Sequence, residues 1–291
     1  MIIEFAPAKV NLYLKVVRRR HDGYHDIETL FERINIVDKV SIMPDEGNIS
    51  LTHNSPDIPQ GKDNLCFKAA LLLRQKCKIG LGARISLEKN IPVAAGLGGG
   101  SSDAAGVLKG LNKLWKLNLS ANDLVSFGAE IGSDVPFFLR NDPFAIGTLR
   151  GDALKALKIT KKLWHVVITP SILLLAKDIY KGYDEMKGLA LTRHMSADRI
   201  RLPAEGVDNV GRMNAILHND LENTVLHHEP IIKDIRDCLS VCCGKKAIVS
   251  GSGPSVFCVC ETRKEAAGVR DEFTKRTSQN KGWRIFVAET Y

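Results

Sequence analysis

The residues best suited to chemistry are a run of glycines followed by two serines. Four glycines stand among residues 96–100, Ser101 and Ser102 come next, and apolar residues recur at helical spacing from Ala104 to Leu111. Glycines let a loop turn its backbone N–H groups toward one point, and a helix behind the loop adds the positive end of its dipole. The pattern predicts a cradle for phosphate groups. The alternative is a flexible loop that only leads into a helix.

The surrounding sequence narrows the class of phosphate site. The P-loop pattern G-x-x-x-x-G-K-[ST] does not occur, which disfavours a P-loop nucleotidase. Gly96, Gly98 and Ser101 nearly meet the dinucleotide pattern G-x-G-x-x-G. A dinucleotide fold would place that loop after its first strand and an acidic residue about 20 positions later, at the end of the next strand. Residues 117–123 instead read as a loop and a helix start, which disfavours an oxidoreductase.

Alternating strands and helices must position this loop. Residues 8–16 alternate apolar and polar side chains, which predicts a half-buried strand. Asn64 is the predicted N-cap of one helix, and Ser120 with Asp123 is the predicted capping box of another. The other elements predicted in the first half are strands at 27–36, 39–43, 48–52 and 83–88, helices at 64–77 and about 101–115, and a helix that begins at 120 and ends near 128–132.

The second half of the chain has the order strand, helix, strand, strand, helix, strand, which is typical of a ferredoxin-like domain. A lysine-rich stretch at 152–162 without an apolar face marks the expected boundary, so we predict an α+β chain with lobes at 1–155 and 156–291. The elements predicted after the boundary are a strand at 164–169, helical material at 207–239, strands at 247–250 and 256–260, a helix opened by Thr262 and Glu265, and a strand at 283–289.

Composition and charge limit the class of protein. The 291 residues are 44% hydrophobic and 25% charged, which is typical of a globular protein with a substantial core. No apolar run approaches the roughly 18 residues of a membrane span, and no signal-peptide pattern occurs, so we expect a soluble cytoplasmic protein without a membrane partner. The net charge of +8 is spread along the chain and suits nucleic acid or small polyanions. Seven cysteines without a zinc spacing favour free thiols.

Three motifs in a fixed order resemble those of the GHMP small-molecule kinases. They are Pro-Ala-Lys-Val-Asn-Leu at 7–12, the glycine and serine block at 92–103, and Val-Ser-Gly-Ser-Gly-Pro-Ser-Val-Phe at 249–257. The resemblance implies a two-lobed fold, with an N-terminal mixed α/β lobe like the second domain of a ribosomal protein and a C-terminal ferredoxin-like lobe. The N-terminal lobe would carry the ATP-binding and catalytic residues.

Further blocks resemble one branch of that family. The kinases of this branch act in the non-mevalonate isoprenoid pathway. The resemblance implies ATP and Mg²⁺, and direct transfer of a phosphoryl group to the 2-hydroxyl of a cytidine-diphosphate-linked methylerythritol, by a monomer or a homodimer. The blocks that resemble this branch lie at 22–25, 28–31, 132–137 and 219–222.

Lys9 and Asp134 take the catalytic positions implied by the resemblance. A phosphoryl-transfer site needs a carboxylate that accepts a proton from the attacking hydroxyl or orients it, and a cation that offsets charge nearby. The family implies Asp134 for the first task, Lys9 for the second, and Asn11 as a substrate-side positioning residue beside them. The alternatives are a structural salt bridge between Lys9 and Asp134, and a solvent-exposed Asn11.

The resemblance also implies two sets of binding residues. In a cytidine pocket, Tyr24 and Tyr180 would stack on the base and His25 would contact its polar edge, although Tyr180 could instead lie on the core face of a helix. Lys89 would line the ATP site, or it could be a solvated lysine. The metal ligands stay open, with Ser101 or Ser102 as candidates for Mg²⁺. The implied ATP-binding residues are Lys89, Pro92, Gly96, Leu97, Gly98, Gly99, Gly100, Ser101 and Ser102.

One departure and two rival hypotheses stay open. These kinases commonly have a Gly-Arg-Gly-Glu-like turn where residues 149–152 read Leu-Arg-Gly-Asp, which puts the local turn in doubt. The rival within the family is a kinase for mevalonate, homoserine or a sugar. The rival from another class is a basic RNA-binding module, but aromatic residues make up only 6% and no RNP-like sequence occurs, so we expect no nucleic-acid partner.

Overall fold

Two compact units make up the computed structural model, which describes residues 1–187, 210–277 and 282–291. The first unit consists of Met1–Ala8, Ile36–Val93 and Gly98–Asp142. The second consists of Lys9–Asn35, Ala94–Leu97 and Pro143–Tyr291. Each unit is therefore assembled from segments that are separated in sequence. The lobe boundary expected near residue 155 stays a prediction.

Two long strands, β1 (Ile2–Arg19) and β2 (His25–Asp45), are neighbours in one sheet and contribute residues to both units. The strands predicted at 27–36 and 39–43 are thus parts of one continuous strand. In the first unit, β3 (Ile49–His53) pairs in parallel with β4 (Gly82–Glu88), and β4 pairs antiparallel with residues 39–45 of β2.

Helices of the first unit begin at the caps that the sequence indicates. Asn64 accepts a hydrogen bond from the Cys66 N–H, and Ser120 and Asp123 form a reciprocal capping box. Gly110 lies so close to β2 that a Cβ there would come within 2.5 Å of Ile42 Cδ1, which explains a glycine inside a helix. The helices are α1 (Leu65–Lys76), α2 (Gly99–Leu114), α3 (Ala121–Ile131) and α4 (Val135–Leu139).

Over the residues that the structure describes, the second unit contains an antiparallel sheet of strands β7 (Trp164–Thr169), β9 (Ala247–Val249), β10 (Val256–Cys260) and β11 (Arg284–Glu289). Their order in the sheet is β11-β7-β10-β9. Helices α8 (Pro230–Cys243) and α9 (Arg263–Arg276) contribute Ile235, Leu239 and Phe273 to its core. The predicted ferredoxin-like order is confirmed.

Several elements of the second unit differ from the predictions. Two strands were not predicted: β5 (Phe144–Thr148) precedes the lysine-rich stretch, and β6 (Ala153–Ala156), which pairs with it, lies at the start of that stretch. None of the four residues of β6 is buried, so it has no apolar face that would indicate a strand. Of the stretch predicted as helical at 207–239, residues 207–209 lie outside the described ranges, and a short strand interrupts the rest. Of the residues without a predicted element, 188–206 lie outside the described ranges. The remaining elements are α5 (Ala176–Lys187), α6 (Val210–Ile216), β8 (His218–Asn219) and α7 (Glu222–His228).

The described part of the chain has free thiols and lacks both a grouped set of metal ligands and a membrane-spanning helix. All seven cysteines are free. Among the described residues, no three His, Cys, Asp or Glu side chains are grouped so that they could hold a metal ion. None of the helices there has the length and apolar character needed to cross a bilayer.

Candidate functional site

The glycine loop leads into α2 with an open helix N-terminus. The loop residues Ala94, Gly96 and Gly98 have φ of 50°, 72° and 69°, a conformation that favours glycine. Gly98 is the N-cap of this 16-residue helix and provides no side-chain cap. The N–H groups of a first helical turn have no acceptor within the helix, and the helix dipole is positive there. This geometry fits an anionic phosphate.

Part of the same loop, Ala94–Leu97, belongs to the second unit and is fixed there by hydrogen bonds to its carbonyl groups. The Lys9 N–H donates to the Leu97 carbonyl at 2.9 Å, and the Ser250 hydroxyl donates to the Gly96 carbonyl at 3.1 Å. A Cβ at Gly96 would collide with the carbonyl oxygen of Ser250. Glycine is therefore required at this position by both its φ and its close approach to another backbone segment.

Lys9 and Asn11 form a buried pair on β1. Lys9 Nζ donates to Asn11 Oδ1 at 2.5 Å and lies 5.5 Å from the centre of the Phe31 ring. Asn11 Nδ2 donates to Thr29 Oγ1 at 2.7 Å, and that hydroxyl donates to the Tyr13 carbonyl at 2.7 Å. Asn11 is 2% exposed, so the alternative of a solvent-exposed side chain is wrong. A substrate contact by Asn11 stays a prediction.

The third motif brings a backbone turn against this pair. Gly251 lies between β9 and β10 and has a φ of 56°. A Cβ at Gly251 would lie 3.0 Å from Asn11 Oδ1 and 3.4 Å from Lys9 Nζ. The turn is thus both a tight connection between paired strands and a close approach to Lys9 and Asn11.

Asp134 belongs to the first unit, at the start of α4. It occupies the N-cap position, with a φ of −85°, and its side chain makes no capping hydrogen bond. Close packing between α3 and α4 fixes this segment, because a Cβ at Gly128 would lie 2.5 Å from Leu139 Cδ1 and 2.9 Å from Val135 Cγ1. The predicted partnership of Asp134 with Lys9 stays a prediction.

A buried lysine between two carboxylates lies at the first turn of α2. Lys89 Nζ contacts Asp38 Oδ2, and it contacts Asp103 Oδ2 at 2.6 Å; all three side chains are at most 5% exposed. A Cβ at Gly99 would lie 3.3 Å from Lys89 Nζ, which places the ammonium against the helix start. The alternative of a solvated Lys89 is wrong. Its contact with ATP stays a prediction.

The two carboxylates of this triad were not identified from the sequence. Asp103 stands in the quoted glycine and serine block, but nothing in the block indicates that it meets a lysine. Asp38 accepts hydrogen bonds from the backbone N–H groups of Asn90 and Ile91, at 2.5 and 2.8 Å, which holds the segment that follows Lys89. The triad therefore joins β2, the end of β4 and α2.

Burial and the neighbouring charges both shift the pKa values of Asp103 and Lys89. Burial raises the pKa of Asp103 to about 7, the negative charge of Asp38 adds to the increase, and the positive charge of Lys89 opposes it. Burial also opposes the charge on Lys89, but the attraction of Asp103 and Asp38 holds its pKa above the usual range.

The Asp103 pKa predicts a pH dependence of stability. Because the pKa in the folded protein is about 7 and the ordinary value is 3.8, the folded state holds an extra proton between these values. We expect this group's contribution to the free energy of unfolding to fall as pH rises from about 4 to about 7. Urea unfolding across that range should show a shallower decline for Asp103→Asn, and equal slopes for both proteins would contradict the prediction.

The two candidate magnesium hydroxyls differ in exposure. Ser102 is buried, and its Oγ has no hydrogen-bond partner among the described residues. Ser101 is half-buried, and its Oγ lies 3.9 Å from where a Cβ of Gly132 would be, two residues before Asp134. Of the two hydroxyls, Ser101 is therefore the more accessible.

Two of the three predicted base-binding residues are in contact. The rings of His25 and Tyr180 stack with centroids 4.8 Å apart, and His25 Nε2 lies 2.8 Å from Asp184 Oδ1. Tyr180 lies on α5 and packs partly against the core, as the alternative predicted. Tyr24 is exposed, and the guanidinium of Arg150 lies 5.4 Å from its ring centre. Stacking on a base stays a prediction.

The departure at 149–152 does not prevent the turn from forming. Leu149 takes the first position with a φ of 58°, and Gly151 follows with a φ of 92°. The Leu149 carbonyl accepts a hydrogen bond from the Ile27 N–H at 2.6 Å. A leucine thus adopts a left-handed conformation that glycine would adopt with less strain.

Comparisons with family sequence models match two parts of the chain. Residues 64–142 match the model described as GHMP kinases N terminal domain. Residues 202–279 match the model described as GHMP kinases C terminal. The first match includes Lys89, Asp134 and the glycine loop.

Relatives and a solved structure cover nearly the whole chain. A protein of Syntrophus aciditrophicus (strain SB) named 4-diphosphocytidyl-2-C-methyl-D-erythritol kinase is 40% identical over 91% of this chain and 92% of its own length. A protein of the same name from Pelobacter propionicus (strain DSM 2379) is 38% identical over 98% and 97%. The crystal structure of a 4-(cytidine 5'-diphospho)-2C-methyl-D-erythritol kinase matches with a TM-score of 0.77 and 28% identity, over 100% of both chains.

Proposed function

The chain belongs to the GHMP kinases and is a small-molecule kinase, and from this premise we propose that it phosphorylates the 2-hydroxyl of 4-diphosphocytidyl-2-C-methyl-D-erythritol, with ATP as the donor. The observation that carries the proposal is the similarity of nearly the whole chain to relatives named for this kinase. The product would enter the non-mevalonate isoprenoid pathway. We assign the ATP-binding and catalytic residues to a lobe at 1–155 and the ferredoxin-like lobe to 156–291.

The open N-terminus of α2 supports binding of the ATP phosphates to the glycine loop. We assign Ser101 or Ser102 to Mg²⁺, because Mg²⁺ commonly takes only one or two protein ligands and completes its shell with phosphates and water. When bound, Mg²⁺ offsets negative charge on the transferred group. The residues assigned to ATP are Lys89, Pro92, Gly96, Leu97, Gly98, Gly99, Gly100, Ser101 and Ser102.

Asp134 and Lys9 perform the chemistry in this proposal. The Asp134 carboxylate accepts the proton of the attacking 2-hydroxyl or orients it for direct in-line attack. The Lys9 ammonium offsets charge near the transferred group. Asn11 supports this role, because its Oδ1 accepts from Lys9 and its Nδ2 is held by Thr29, which fixes the direction of the ammonium.

The acceptor's base binds at Tyr24, His25 and Tyr180 in this proposal. Asp184 supports the assignment, because its bond to His25 Nε2 holds the imidazole in one orientation. Arg150 supports the position of Tyr24, because its guanidinium lies 5.4 Å from the centre of the exposed ring and attracts the ring's face.

Removing the Tyr180 ring is expected to weaken acceptor binding. Stacking of a base on an aromatic side chain contributes roughly 1 to 3 kcal/mol, so Tyr180→Ala should raise KM for the acceptor about tenfold. The KM for ATP should stay within about twofold, because the ring is not assigned to the donor. Tyr180→Phe keeps the ring and is the matched control. If the wild type, Tyr180→Ala and Tyr180→Phe all have the same KM for the acceptor, Tyr180 does not contribute to acceptor binding.

An acceptor panel tests the proposed function. Purified protein, ATP and Mg²⁺ are combined with the cytidylylated methylerythritol, mevalonate, homoserine or galactose, and ADP formation is measured. We expect turnover with the first acceptor alone, and phosphorus NMR should place the new phosphate on its 2-hydroxyl. Turnover with another acceptor and not with the first would replace the proposed substrate. Salt-dependent RNA binding without any ATP turnover would instead favour the nucleic-acid hypothesis.

A further inference from the structure

Asn219 begins the block at 219–222 and has no role in the mechanism above. We propose that Asn219 is a positioning residue: it holds the Gly251 turn against Lys9 and Asn11 and thereby sets the position of the Lys9 ammonium. The proposal rests on the catalytic role proposed for Lys9. It does not depend on which acceptor the enzyme uses.

Both the nitrogen and the oxygen of the Asn219 side-chain amide form hydrogen bonds with nearby backbone groups. Its Nδ2 donates to the Val249 carbonyl at 2.9 Å and to the Gly251 carbonyl at 2.8 Å. Its Oδ1 accepts from the Leu221 N–H at 3.0 Å. The side chain is 7% exposed, so little water can replace these bonds. Asn219 therefore fixes both the end of β9 and the turn that follows.

The backbone that carries Asn219 is itself fixed beside β1. Its strand, β8, pairs in parallel with β1, with Asn219 opposite Leu14. Glu222, in the same block, accepts from the Val249 N–H at 3.0 Å through Oε2. Two side chains of the block thus hold the segment from Val249 to Gly251 at a set distance from β1.

A shift of the Gly251 turn would directly change the contacts of Lys9. A Cβ at Gly251 would lie 3.4 Å from Lys9 Nζ and 3.0 Å from Asn11 Oδ1. The backbone of Gly251 therefore lies close to both side chains. The neighbouring Ser250 hydroxyl accepts from the Asn11 N–H at 3.4 Å and donates to the Gly96 carbonyl. A displaced turn would therefore change the surroundings of the lysine and of the glycine loop together.

The chemistry of the contact explains why an amide stands at this position. Two carbonyl oxygens, of Val249 and Gly251, require a donor with two hydrogens, and an Asn NH₂ group provides both. In Asn219→Asp a carboxylate oxygen would face these two carbonyl oxygens, which is repulsive. In Asn219→Ala both carbonyls would lose their partner without a new charge.

The kinetic test uses both substitutions. We expect kcat to fall by about ten- to a hundredfold, the range for misplacement of a catalytic group by an ångström or less, with KM for ATP within about threefold. Single-turnover rates normalised to folded enzyme separate misplacement from loss of protein. Asn112→Ala is the matched control, because Asn112 makes the same kind of bonds, to Leu119 N–H and carbonyl at 3.1 Å, and should leave kcat unchanged.

A double-mutant cycle tests whether Asn219 acts through Lys9. If it does, Asn219→Ala should change the residual rate less than about twofold when Lys9 is already alanine. An equal fall in both backgrounds would overturn the proposal, as would an unchanged single-turnover rate. If the wild-type protein turns over a different acceptor, the cycle is run with that acceptor, so the two proposals fail separately.

A labelling experiment provides a readout without turnover. Lys9 is 5% exposed, and acetic anhydride labelling followed by peptide mass spectrometry measures its protection. Asn219→Ala should raise the labelling rate of Lys9 at least about fivefold. Lys89, buried in the first unit, is the internal reference and should stay protected. Equal protection of Lys9 in wild type and variant, or equal loss of protection at both lysines, would overturn the proposal.

Discussion

Asp134→Ala is expected to lower kcat by at least about a hundredfold, the lower end for losing a positioned general base. The reason is that the attacking hydroxyl would lose the group that accepts its proton or directs it at the phosphorus. The KM for ATP should change little, since the loop that leads into α2 binds the phosphates in our proposal. The measurement is steady-state ADP formation at saturating ATP and acceptor.

The control for Asp134 is another carboxylate of the same region. Asp142 lies a few residues beyond α4, is 41% exposed and is 3.7 Å from Arg140, so Asp142→Asn should leave kcat near normal. Lys9→Ala should lower kcat to a similar extent as Asp134→Ala, and the double variant should lose less than the product of the two. A near-normal kcat for Asp134→Ala would remove its proposed role.

Lys89→Met is expected to lower the free energy of unfolding by about 3 to 5 kcal/mol, the cost of removing one partner from a buried ion pair. The substitution leaves Asp38 and Asp103 buried without the cation that both contact. The measurement is urea unfolding at neutral pH. The control is Lys113→Met, because Lys113 pairs with Glu4 while 61% exposed and should cost no more than about 1 kcal/mol.

Two further conditions separate this electrostatic cause from a packing defect. Asp103→Asn in the Lys89→Met background removes one unpaired charge and should recover a substantial part of the lost stability. Lower pH should also favour the folded variant, because burial raises the pKa of Asp103 and the ammonium that opposes this increase is gone. A loss of unfolding free energy that neither condition reduces would indicate a packing defect. That result would contradict the electrostatic role assigned to the triad.

The features that the sequence predicts correctly depend on residues that are close together along the chain. The caps at Asn64 and Ser120 depend on residues two or three positions apart, and the order of helices and strands along the ferredoxin-like part follows from apolar runs and cap residues within each element. The glycine loop is similar, because its positive φ values and the helix behind it lie within a dozen residues.

The features that the sequence does not reveal depend on distant partners. Lys89 is 51 residues from Asp38 and 14 from Asp103, and no spacing rule selects these carboxylates from the other acidic residues. Asn219 lies 30 and 32 residues from the carbonyls it holds, so its block could be recognised by resemblance without its contacts being known. Only the folded chain places such groups together.

The division of β1 and β2 between the two units has a consequence for protein engineering. The chain passes from one unit to the other after residues 8, 35, 93, 97 and 142, so neither unit corresponds to one uninterrupted stretch of coding sequence. A chimera made by joining two homologous genes at a single point would therefore combine unmatched segments within at least one unit. Exchange of a whole unit between relatives requires junctions at all five positions, and libraries with one crossover should yield few folded members.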